Sequence, residues 1–102
     1  MTGPRPSILT LIGPYKEPIA FAAKAEPAIT ASEFITQLGT AAANLRKAGI
    51  RNTENLDNAA FYLAQALDTT SREEVTSGIR HASHCLQATA DLVGEYRPLV
   101  CD

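Results

Sequence analysis

What this chain can fold into is set above all by residues 71–96, where Val75, Ile79, Ala82, Leu86, Thr89, Val93 and Tyr96 recur alternately four and three residues apart. That spacing places these side chains along one seam of an α-helix. Ser71 and Glu74 match a capping box at its start. Gly94 and Pro98 predict fraying towards the tail, where Leu99, Val100 and Cys101 form a small apolar tag. A helix over residues 72–96 is about 37 Å long at 1.5 Å per residue, which leaves its far end, from about Ala88, in need of a partner.

Two shorter helical patterns precede it. Thr30 and Glu33 form a capping box, followed by Phe34, Leu38, Ala41, Leu45 and Ala48 at four-three spacing, and Gly49 fits the left-handed stop position. Arg46 and Lys47 sit where cations favour a helix C-terminus, and Gly39 beside Ala42 and Ala43 offers a low surface for another backbone. The next helix is expected from Thr53 or Asn55 to Leu67, with Leu56, Ala60, Leu63 and Leu67 on its seam. Ala59, Phe61, Tyr62, Ala64 and Ala66 make its last turns apolar nearly all round, which is how a helix reads when neighbours cover most of it. Either the N-terminal arm or a second copy of the chain covers Phe61 and Tyr62.

Residues 1–29 hold Pro4, Pro6, Pro14, Pro18 and Pro27, and are read as a proline-punctuated, extended arm. Ile8, Leu9, Leu11 and Ile12 make a β-prone run ended by Gly13-Pro14, and a second apolar run follows Pro18. The two runs pair as a short β-hairpin, or Pro18 opens a short Ala-rich helix while residues 8–12 form an extended strap. Both readings require the arm to dock.

With 102 residues the chain fits one domain, able to bury roughly two thirds of its unfolded surface. Heavy use of Ala and the absence of Trp predict a thin core with closely approaching helices. The net charge is −2 with basic and acidic residues interspersed, so no long-range pull on nucleic acid or anionic lipid is built in. No stretch reaches membrane-span length and the N-terminus lacks a signal-peptide core, which gives a cytoplasmic reading. Cys85 and Cys101 are too few for a disulfide framework and are expected as free thiols.

His81, His84 and Cys85 are the sequence's cluster of candidate metal ligands. His81 and Cys85 share a helix face, but His84 projects further round and no second ligand pair appears, so no metal or other cofactor is assigned. The same residues lack an orienting third group for a Cys-His nucleophile, and the scattered glycines form no phosphate loop. A helix-turn-helix around residues 64–77 fails on register, with Asp68 at the turn glycine and Glu74 and Ser77 at buried positions.

These readings give an all-α domain: an arm over residues 1–29, a three-helix bundle over 30–97 with a long last helix, and a short tail over 98–102. The expected function is non-enzymatic, a protein-protein interaction or regulatory module that self-associates as a homodimer through Phe61, Tyr62, Leu92, Val93 and Tyr96. One alternative is a DNA-associated regulator in which a dimer pools Arg46, Lys47 and Arg51. Another is a metal or redox sensor at His81 and Cys85.

Overall fold

The computed structural model describes residues 6–100, with side-chain surroundings from residue 8 onward. Every regular element among them is helical: α1 (Pro6–Ile12), a 3-10 turn (Gly13–Tyr15), α2 (Lys16–Ala23), α3 (Ala31–Lys47), α4 (Glu54–Asp68) and α5 (Arg72–Val100). The chain is all-α as expected, and of the two readings of the arm the short Ala-rich helix opened at Pro18 is present, while residues 8–12 are helical rather than a strand or an extended strap. Three of the arm's prolines start helical turns, and Pro27 lies in the irregular link to α3. Pro6 is the first residue of α1, Pro14 lies within the 3-10 turn, and Pro18 falls in the first turn of α2, where a backbone N–H has no helical partner to lose. Ile8 and Ile12, one turn apart in α1, are then buried together. Pro4, Met1 and the end of the apolar tag at Cys101 lie outside the described residues.

The α3 start has the predicted capping box. The Glu33 amide donates to Thr30 Oγ1 at 3.1 Å, and the amides of Thr30 and Ile29 each donate to Glu33 Oε1 at 3.0 Å. Those two donors, Thr30 first, hold the Glu33 carboxyl below its usual range. Phe34, Leu38, Ala41 and Leu45 are buried as spaced, joined by Ala42. Gly49 takes the left-handed stop at φ 87°, and Asn52 turns the chain again at φ 65°. Arg46 closes this corner: its Nε donates to Thr53 Oγ1 at 3.2 Å and its guanidinium lies 3.5 Å from Asp57.

Along α4 the deepest line is Leu56, Ala59, Leu63 and Ala66, with Ala60 and Leu67 half-buried. The buried face is rotated from the expected seam because α5 comes in against the alanines. A Cβ at Gly78 would lie 3.1 Å from the Tyr62 carbonyl oxygen and 3.3 Å from Ala66 Cβ, so a larger residue would have to push α4 back by a few tenths of an ångström. Gly39 is not such a contact: a Cβ there meets nothing within 4 Å. The second capping box is half formed, with the Glu74 amide donating to Ser71 Oγ at 3.4 Å while its other half is redirected. The Ser71 amide donates to Thr69 Oγ1 at 3.1 Å, and that hydroxyl donates to the Glu74 carboxylate, which therefore does not reach back to Ser71.

The expected seam of α5 is buried except for Ile79, which is half-buried, and Thr89 satisfies its buried hydroxyl on the Cys85 carbonyl at 2.7 Å. The helix runs through Pro98 to Val100, past the expected stop. Short connections make α3 and α4, and then α4 and α5, antiparallel neighbours. The arm covers what α4 leaves bare: α2 lies on α3, and both α1 and α2 reach α5. Asn44 Nδ2 donates to the Ala22 carbonyl at 2.8 Å, and Gln37 Nε2 donates to the Glu26 carbonyl at 2.7 Å, pinning the segment after α2 along α3. The result measures 47 × 23 × 17 Å, its long axis set by α5.

Candidate functional site

The face formed by α3 and α4 carries the chain's most conspicuous exposed aromatic. Phe61 is 62% exposed although the arm is docked elsewhere. Beside it runs an open groove of about 490 Å³, with Ser32 and Ile35 on the α3 side and Phe61, Ala64, Gln65, Leu67 and Asp68 on the α4 side. The local reason is the surplus of apolar residues in the last turns of α4. Ala59, Leu63 and Ala66 turn inward, and Phe61 and Ala64 are left on the opposite side. Residues 34–45 and 58–67 contain no charged side chain, so the middle of the face is uncharged while its ends are not. Charge depletion around an aromatic anchor is the compositional mark of an interface centre. Ile29, 81% exposed, precedes α3 without packing back as a staple.

Tyr62 points elsewhere. Its ring stacks on His81, with centroids 4.8 Å apart and planes at 21°, while Phe61 meets it edge-on at 5.4 Å. His81 Nδ1 lies 2.7 Å from the Ser77 carbonyl, which can only accept, so Nδ1 carries the hydrogen. His84 is exposed and Cys85 half-buried. Burial pushes the Cys85 thiol up from its usual value, which disfavours the thiolate needed for nucleophilic or redox chemistry. Among the described residues no three His, Cys, Asp or Glu side chains come together to hold a metal.

Leu92, Val93 and Tyr96 are buried within the chain's own core and are removed from the contact surface. The arm is what covers them. Phe21 meets Tyr96 edge-on at 6.0 Å, and Arg97 lies over the Phe21 ring at 4.3 Å while pairing with Glu17 at 2.7 Å. Of the candidate basic cluster, Arg46 is turned onto Thr53 and Asp57, while Lys47 and Arg51 are exposed. The pooled cation is therefore smaller than three charges.

Sequence reasoning missed Gly78 and the groove wall at Ile35. Gly78 was legible in principle, since Val75, Gly78 and Ala82 share the three-four spacing of the buried face. No helix among the described residues is long and apolar enough to cross a membrane. No protein-family model matches the chain, and no curated protein or solved structure gives a significant match.

Proposed function

We propose that this protein is a non-enzymatic interaction module that self-associates through the α3–α4 face. The observation that carries this reading is Phe61, bare on an uncharged face beside an apolar groove with the arm already in place. Covering such a side chain contributes about 1.5–3 kcal/mol for each copy, enough to make it an anchor. The engagement of Arg46 with Asp57 weighs against the DNA-associated alternative, and the raised thiol of Cys85 weighs against the sensor. Native mass spectrometry of the wild-type chain and Phe61→Asp tests the proposal. A wild-type dimer that the substitution converts to a folded monomer supports it. A dimer indifferent to the substitution, or a wild-type monomer at high concentration, overturns it.

A further inference from the structure

Resting on that reading, we infer that the groove is covered by a second copy of this chain lying antiparallel, with α3 crossing the partner's α3 at Gly39 on a two-fold axis. The first argument is elimination. The arm was one of two ways to cover the apolar face of α4, and among the described residues its buried side chains are spent on α3 and α5 while Phe61 stays exposed.

The second argument is Gly39 itself. Glycine inside a helix is destabilising relative to alanine, and here no contact within the chain requires it, because a Cβ would meet open space. It lies one turn beyond Ile35, which lines the groove, and one turn before the exposed Ala43, so these three positions share one side of α3, with a low surface at Gly39 for a second helix backbone. Phe61 lines the same groove as Ile35 from the α4 side.

The third argument is charge. On α3, Glu33 lies in the first turn and Arg46 and Lys47 in the last, with no charge between. Asp68 adds to the acidic end, and Lys47, Arg51 and Asp68 have no ion-pair partner among the described residues. A parallel pairing sets acid on acid. An antiparallel crossing at Gly39 brings Glu33 of each copy towards the partner's Lys47, because the two lie at similar distances on either side of the crossing point. An isologous interface needs one face to complement itself, and this pattern does.

The test uses the full chain with Cys85→Ala and Cys101→Ala, carrying either Gly39→Cys or Lys47→Cys. A residue on the axis meets its own copy, so mild oxidation should link Gly39→Cys into a covalent dimer. Residues 39 and 47 are about 12 Å apart along the helix, so the two engineered thiols of Lys47→Cys sit about 24 Å apart and should not link. Gly39→Leu should weaken the dimer by roughly tenfold to a hundredfold through overpacking while leaving the dilute monomer at least as resistant to heat. A dimer that Phe61→Asp dissolves but that neither links at Gly39→Cys nor responds to Gly39→Leu overturns the arrangement and leaves the self-association reading standing. A dimer that links through Lys47→Cys instead overturns the antiparallel geometry.

Discussion

Gly39 and Gly78 sit in the interiors of α3 and α5, yet the same substitution should move stability in opposite directions. At Gly39 the added methyl meets nothing within 4 Å, so Gly39→Ala should raise the stability of the dilute monomer by up to about 1 kcal/mol through helix propensity alone. At Gly78 the methyl runs into a backbone oxygen and a Cβ, neither of which is the end of a flexible side chain. Gly78→Ala should therefore cost about 1–2 kcal/mol net, because overpacking exceeds the propensity gain. Urea titration of both variants checks the sign. Glu33 makes a separate prediction. Its folded pKa is depressed by the amides of Thr30 and Ile29, so its contribution is fully present above the ordinary carboxylate value and is lost as pH falls through the lower folded value. The melting temperature should drop below about pH 4, and Glu33→Gln should flatten that drop.

Among the helices, α3 was the most legible from sequence. Its Thr30–Glu33 box, its Phe34-to-Leu45 seam and the stop at Gly49 are all local signals, and local hydrogen bonds decide them. The seam of α5 was legible for the same reason, whereas its end at Val100 was not, since a Pro in the last turn removes only one hydrogen bond. In α4 the existence of the helix was clear but its rotation was not: Ala59 and Ala66 replaced Ala60 and Leu67 because Gly78, on another helix, drew α5 close. In the arm the short Ala-rich helix opened at Pro18 was one of the two readings and is present, whereas residues 8–12 were misread as strand or strap because Ile8 and Ile12 fit period two and period four alike. Its docking was foreseen, and that sets a prediction. Ile19, fully buried in α2, should cost about 2–4 kcal/mol when replaced by Ala, measured by chemical denaturation.

For the molecule as a whole, the expectation of a three-helix bundle with an overhanging end gives way to α3, α4 and α5 with the α1–α2 arm laid over that overhang. The candidate contact surface changed with it. Leu92, Val93 and Tyr96 looked available because nothing in the sequence told which partner would cover them, and the partner turned out to be residues some eighty positions earlier. Phe61 remained on the surface because no segment of the described chain reaches it. Removing residues 1–23 should expose Leu92, Val93 and Tyr96 together with the face of α3 on which α2 lies, and hydrogen exchange should then quicken over the last three turns of α5 and along α3 while the α4 segment packed on α5 keeps its protection.

The pairing of Glu17 with Arg97 spans a sequence separation of 80 residues. During synthesis the isoleucines of the arm emerge well before the surface of α5 that completes their burial. The α3–α4 and α4–α5 hairpins close over short loops, so they form early, and the sealing of the arm onto α5 comes late. A nascent chain thus carries Ile8, Ile12 and Ile19 incompletely covered until α5 has been made, and these greasy residues are where a chaperone would first take hold.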